Sequence, residues 1–105
     1  MNAVERHHVE RVAQIGCVVC RRVFECFTPA EIHHVAEGSA PRSWFAIAPL
    51  CPIHHDEHRA GTGFHGMGTD RFCAAFRVPG GTEYGLLVWV NEDLALMDLG
   101  RLVTT

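Results

Sequence analysis

The sequence contains no lysine, so arginine supplies all nine of its basic residues. It also lacks an apolar run of the roughly 18 residues that a membrane-spanning helix needs. The first seven residues, Met1 to His7, are too polar for a secretory signal peptide. These absences predict a soluble cytoplasmic protein with no membrane segment.

Positive charge is scarce as well, because 12 acidic residues outnumber the nine arginines and give a formal net charge of -3. Non-specific affinity for nucleic acid comes mainly from basic side chains that neutralise phosphates. The balance therefore argues against a domain that holds nucleic acid by bulk electrostatics. The sequence also has no His-Glu-x-x-His pattern, which disfavours a zinc hydrolase of that kind.

Hydrophobic periodicity predicts helices at two points of the chain and strands between them. Residues 3–15 have one apolar face and end at Gly16, which predicts an amphipathic helix. Residues 31–35 predict a strand, and residues 23–27 predict a shorter one. Residues 69–76 predict another helix, capped by the polar side chains at its start. The apolar face of the first helix consists of Val4, Val9, Val12 and Ile15.

The last quarter of the chain has a different pattern. Apolar stretches at 84–90 and 94–103 flank the polar residues 91–93, which predicts a β-hairpin. Together the elements predict a small α+β fold in a single domain, residues 1–105. A core of this size would be marginal alone, and a bound metal would stabilise it.

Cysteine spacing indicates where such a metal would bind. Five cysteines are an odd number, and Cys17-x-x-Cys20 in a chain without an export signal favours metal binding over disulfides and a reducing compartment. Cys51-x-x-His54 repeats this spacing later in the chain. The two pairs predict a tetrahedral Cys3His site for structural Zn²⁺. Cys26 and Cys73 are expected to be small buried residues.

Histidine is the other abundant residue, and six of the eight lie between positions 33 and 65. Pro52 suits the first position of a helix, and neighbours on a helix point about 100° apart, so His54 and His55 should serve different sites. With His54 assigned to zinc, the remaining imidazoles suit an open site for a catalytic divalent ion. One uncoordinated histidine could then take a proton from water. The candidates are His33, His34, His55, His58 and His65.

These motifs carry a resemblance to a known family. The Cys-x-x-Cys, the pair His33-His34, and Leu50-Cys51-x-x-His54-His55 resemble the zinc-containing branch of the HNH (His-Me finger) nucleases. With Phe64-His65-Gly66 added, the likeness is closest to phage Ref-type RecA-dependent nucleases and related prophage HNH proteins. It covers about residues 5–77, with a motif core of about 15–66, and leaves the predicted hairpin of about 80–105 outside.

The resemblance implies a ββα-metal core and a metal-dependent DNA endonuclease that uses Mg²⁺ or another divalent ion. By matching position, His34 resembles the general base, and His33 and His55 resemble metal ligands. The third ligand is either His58 or His65. Because the chain is acidic, a recombinase filament or another phage protein would present the DNA.

The chain departs from the family where an Asn normally positions the base. That Asn should fall a few residues before Cys51, where this chain has Ser43-Trp44-Phe45-Ala46. Either Ser43 substitutes, or the orienting role is weak, or activity is reduced. The alternative function is therefore a catalytically inactive, zinc-stabilised module that binds DNA or protein.

Overall fold

The computed structural model describes residues 1–36, 41–56 and 63–102. Helix α1 spans Ala3–Ile15, as predicted, and begins with a capping box in which Asn2 and Glu5 each accept a hydrogen bond from the other's backbone N–H at 2.8 Å. Gly16 ends it with a φ of 75°, which favours glycine. Val12 and Ile15 are fully buried, but Val4 is exposed, so the apolar face is shorter than predicted.

Helix α2 spans Val18–Val23 and replaces the start of the predicted strand at 23–27. This prediction was wrong because residues 24–28 form backbone hydrogen bonds with Cys17 and Cys20 and do not pair with a neighbouring strand. The N–H of Cys26 donates to the carbonyl of Cys20 at 3.2 Å, and the N–H of Cys17 donates to the carbonyl of Thr28 at 2.8 Å. Cys26 is exposed, contrary to expectation, whereas Cys73 is buried as predicted.

Two short strands form an antiparallel pair. Strand β1 spans Glu31–His34 and β2 spans Ile47–Leu50. In this register His33 lies opposite Ala48 and His34 opposite Ile47. Because side chains alternate along a strand, the rings of the adjacent histidines have different neighbours, Phe64 for His33 and Trp44 for His34.

Three short helices follow the strands. Helix α3 spans Pro52–Asp56, which gives the strand–strand–helix order expected of the predicted core. Helix α4 spans Phe64–Met67, within a glycine-rich segment that sequence analysis had not assigned, and α5 spans Thr69–Phe76 as predicted. Gly68 precedes α5 without a side-chain cap, so the predicted capping by a polar side chain was wrong.

The predicted C-terminal hairpin was wrong. A 3₁₀ turn at Pro79–Gly81 leads into one helix, α6, which spans Gly85–Asp98 and runs through the residues expected to form the turn. Its buried positions recur at helical spacing, and its leucine, alanine and methionine residues favour helix. The polar residue Asp93 is buried and pairs with Arg22 of α2 at 2.7 Å. The final residue of the predicted second strand, Val103, lies outside the described residues.

Helix α6 packs against α1 and β2, and one hydrophobic cluster joins these elements with α2 and α5. All four residues of β2 are buried, so the strand runs through the core. The structure is thus a small α+β domain with one two-stranded antiparallel sheet among the described residues. Within the same residues, no helix has the length and apolar character needed to cross a bilayer.

Candidate metal centres

The structure brings the four residues of the predicted Cys3His site together. Cys17 caps the start of α2, Cys20 lies in its first turn, Cys51 lies between β2 and α3, and His54 lies on α3. All four are buried, and their ligand atoms lie within 4.8 Å of one another. We name this group the sulfur cluster.

The distances within the sulfur cluster fit a tetrahedral ion. Zinc bound at about 2.3 Å to sulfur and about 2.0–2.1 Å to nitrogen separates two sulfurs by about 3.8 Å and a sulfur from a nitrogen by about 3.6 Å. Sγ of Cys20 and Sγ of Cys51 are 3.8 Å apart. Nδ1 of His54 lies 3.6, 3.5 and 3.3 Å from the sulfurs of Cys17, Cys20 and Cys51. The cluster could therefore bind a metal such as zinc.

Burial controls the protonation of the sulfur cluster. It raises the pKa of the Cys17 thiol to about 12 and raises the pKa of Cys20, because a buried thiolate loses its hydration. Burial also lowers the pKa of His54. Phe24 stacks on His54 with ring centroids 5.6 Å apart. A cation entering this closed site would displace thiol protons, so its affinity should rise with pH.

A second group, which we name the imidazole cluster, consists of His33, His55 and His65. They come from β1, α3 and α4, and their ligand nitrogens lie within 4.8 Å of one another. Nε2 of His55 and Nε2 of His65 are 3.2 Å apart, close to the roughly 3.3 Å expected for two nitrogens on one tetrahedral ion. His58, the alternative to His65, lies outside the described residues.

The three imidazoles differ in exposure. His65 is exposed and His55 is half-buried, so this cluster is open where the sulfur cluster is closed. Nδ1 of His55 lies 3.5 Å from a carboxylate oxygen of Glu31 without hydrogen-bond geometry. Burial first, and then the neighbouring His55 and His65, lower the pKa of His33 to about 3. A neutral imidazole is the form of histidine that binds a cation.

Sequence analysis missed one residue of this site, Glu83. Nε2 of His33 and Oε2 of Glu83 are 3.1 Å apart, and both side chains are 4% exposed. With His33 in the neutral form that binds a cation, its Nε2–H would donate this hydrogen bond to the carboxylate. Glu83 lies in the predicted hairpin region and belongs to no motif, so the sequence carried no signal for its role.

His34 does not belong to the imidazole cluster. Its ring packs edge-on against Trp44, with centroids 4.6 Å apart. Nδ1 of His34 is buried and has no hydrogen-bond partner among the described residues. The Ser43 hydroxyl instead accepts a hydrogen bond from the N–H of Phe45 at 3.1 Å. The structure therefore gives no support to the idea that Ser43 orients His34.

Two neighbouring cavities lie beside the imidazole cluster. The larger has a volume of about 440 Å³ and the smaller about 220 Å³. His33, His34, His65 and Arg42 line both. Phe64, Thr69, Asp70 and Glu83 extend the larger cavity, and His55 lines the smaller. We name the two together the histidine groove.

Fold and clusters together define a small α+β domain with a buried Cys3His group that could bind a metal. A family model described as recombination enhancement, RecA-dependent nuclease matches residues 1–95. The chain therefore belongs to this family of RecA-dependent nucleases. The name of the family indicates an enzyme that acts on nucleic acid and depends on RecA. The match runs past the resemblance seen in the sequence and includes most of α6. No curated protein and no solved structure matches the chain.

Proposed function

We propose that this protein is an HNH-type, metal-dependent DNA endonuclease that hydrolyses phosphodiester bonds. One observation carries the proposal: three imidazoles converge at the histidine groove, and a fourth, His34, lines the same groove without joining them. This division supports an ion site next to a free base. The strand–strand–helix order of β1, β2 and α3 supports the HNH assignment.

The two clusters take different ions in this proposal. The sulfur cluster holds structural Zn²⁺, and the match of its distances to a zinc tetrahedron supports this assignment. His33, His55 and His65 hold Mg²⁺ or another divalent ion, and three imidazole nitrogens favour a transition-metal ion over Mg²⁺, which prefers oxygen ligands. Such an ion supplies Lewis-acid stabilisation of negative charge on the phosphate and on the leaving oxygen.

His34 acts as the general base. Its buried Nδ1 leaves Nε2 as the nitrogen able to take a proton from a water molecule in the groove. The edge-on packing of Trp44 restricts the ring and supports a fixed orientation without the Asn that the family normally uses.

DNA is the substrate, and Arg42 is the groove residue suited to contact its phosphates, because guanidinium binds phosphate oxygens in pairs. A formal net charge of -3 limits intrinsic affinity for DNA. A recombinase filament, or another phage protein, therefore delivers the strand. The RecA dependence in the family's name supports the filament.

Nicking of supercoiled plasmid tests the proposal. Zinc-loaded protein is incubated with plasmid and Mg²⁺ or Mn²⁺, with and without a RecA filament on a homologous oligonucleotide. Wild type is expected to cut, and His34→Ala to cut about 10²–10⁴-fold more slowly, because a general base contributes that much. His7→Ala is the matched control, since His7 is exposed on α1 away from the groove.

The inactive binding module is the second candidate, and the unpaired Nδ1 of His34 favours it, because nothing fixes the base by hydrogen bonding. Wild type that binds the filament but never cuts, with either metal, would establish this candidate and reject the nuclease. If His34→Ala cuts at the wild-type rate, His34 is not the base.

A further inference from the structure

Glu83 is a buried carboxylate with a specific partner. The residue is 3% exposed, and Oε2 lies 3.1 Å from Nε2 of the equally buried His33. Burying a carboxylate costs free energy unless hydrogen bonds compensate it. The hydrogen bond to His33, which lies 50 positions away in the chain, compensates part of this cost and indicates a specific role for the pair.

The backbone around Glu83 is held firmly. The N–H of Leu86 donates to the carbonyl of Glu83 and the N–H of Gly85 to that of Thr82, both at 3.0 Å. A Cβ at Gly85 would lie 1.9 Å from the carbonyl oxygen of Pro79. Glycine thus allows α6 to begin directly against the 3₁₀ turn, and this close approach fixes where the Glu83 side chain emerges.

The hydrogen bond determines which nitrogen of His33 carries the proton. With Glu83 ionised, its carboxylate would only accept hydrogen bonds, and Nε2 of His33 would donate to it. A neutral imidazole has one N–H, so Nδ1 keeps its lone pair. Ligand nitrogens of His33, His55 and His65 lie within 4.8 Å of one another, and Glu83 is not in that group. The carboxylate therefore acts on the imidazole cluster through His33.

We propose that Glu83 is a positioning residue that holds His33 as the Nε2–H tautomer and aims Nδ1 at the ion shared with His55 and His65. This inference rests on the ion site in the proposed function. Carboxylates that accept a hydrogen bond from a metal-binding histidine orient the ring and raise its basicity, and their loss typically weakens metal affinity by 10–100-fold. The segment between the 3₁₀ turn and helix α6 thus contributes to a site that the sequence resemblance assigned wholly to earlier segments.

The first test measures Mn²⁺ affinity of zinc-loaded protein by electron paramagnetic resonance. Glu83→Gln preserves shape but removes the charge, and it is expected to raise the Mn²⁺ dissociation constant by about 10–100-fold, with zinc content and thermal midpoint unchanged. Glu83→Ala, which removes the acceptor, should weaken binding further. Glu10→Gln, at an exposed position on α1, is the matched control.

Equal Mn²⁺ affinity in folded Glu83→Gln and wild type would overturn the role of Glu83 but leave the nuclease proposal intact. Wild type that binds no Mn²⁺ beyond its zinc would overturn both. A second measurement needs no variant: long-range ¹H–¹⁵N spectra of the wild-type histidines should report an Nε2–H tautomer for His33. An Nδ1–H tautomer would reject the inference even if the Glu83 variants fail to fold.

Discussion

The sulfur cluster and the imidazole cluster receive neighbouring residues of the same helix but differ in almost every physical property. His54 is buried among thiols and stacked by Phe24, whereas the adjacent His55 faces an exposed histidine across 3.2 Å. The roughly 100° between successive helical residues separates the two environments. One turn of α3 therefore supplies both an internal stabilising site and a surface site.

The largest expected effect is on the sulfur cluster. Cys17→Ser should abolish cooperative folding at 25 °C, because zinc binding to a structural site contributes about 10–16 kcal/mol and serine is a poor zinc ligand. Circular dichroism and zinc analysis measure this effect, and wild type should hold one zinc per chain. Cys26→Ser is the matched control, because Cys26 is exposed and lies outside the cluster. A metal-free Cys17→Ser protein that unfolds like wild type would contradict the assignment.

The imidazole cluster should respond differently. His65→Ala is expected to keep its zinc and its thermal midpoint, because His65 is exposed and contributes little packing. Its Mn²⁺ affinity should fall by at least about 10-fold, and plasmid nicking should fall with it. Mn²⁺ titration of zinc-loaded protein measures the change, beside His7→Ala as control. If His65→Ala instead loses zinc or unfolds, the two clusters are not separate.

The smallest expected effect concerns the ion pair between Asp93 of α6 and Arg22 of α2, the helix that carries Cys20. Burial raises the pKa of Asp93 above its ordinary value, although Arg22 opposes the shift. With a raised pKa in the folded state, the carboxyl favours folding below its unfolded pKa and loses that contribution as pH rises through the folded pKa. Asp93→Asn should therefore gain stability relative to wild type as pH rises from the unfolded pKa through the raised folded pKa of Asp93.

The size of this change should stay within about 1 kcal/mol at pH 7, because the Arg22 side chain is 26% exposed and is not left as a buried, unpaired charge when Asp93 is neutralised. Arg22 also keeps its contacts with Glu92 and the carbonyl of Trp89. Urea unfolding of both proteins at each pH measures the difference, and any zinc contribution common to both cancels. A loss above about 3 kcal/mol would mean that Arg22 depends on Asp93 alone.

The sequence predicted the parts of the molecule that depend on local spacing. Residues 3–15 form a helix that ends at Gly16, residues 31–34 form a strand, and the two cysteine-containing pairs meet in one cluster. In each case the spacing of a few nearby residues determines which side chains lie on the same face. Helical geometry also predicted that His54 and His55 serve different sites, whereas the choice of His33, His55 and either His58 or His65 as ligands came from the family resemblance.

The missed parts depend on contacts between distant residues. The apolar stretches 84–90 and 94–103 are too uniform to separate a strand from a helix, and the polar residues 91–93 between them resembled a turn. Packing against α1 and β2 instead favours one continuous helix. Glu83 joins the site only because that helix begins against the turn at Pro79–Gly81. The exposure of Cys26 follows from α2, which turns the chain before a strand can pair.

Because β1 pairs with β2, the positions of the two histidines depend more on the number of residues in β1 than on which other residues it contains. His33 and His34 contact different neighbours, Phe64 and Trp44, because the ladder pairs them with Ala48 and Ile47 in turn. One residue inserted after Ile32 would turn every following side chain of the strand to the other side. His33 would then take the position beside Trp44, and the inserted residue would stand in place of His33 in the imidazole cluster, although no amino acid had been substituted.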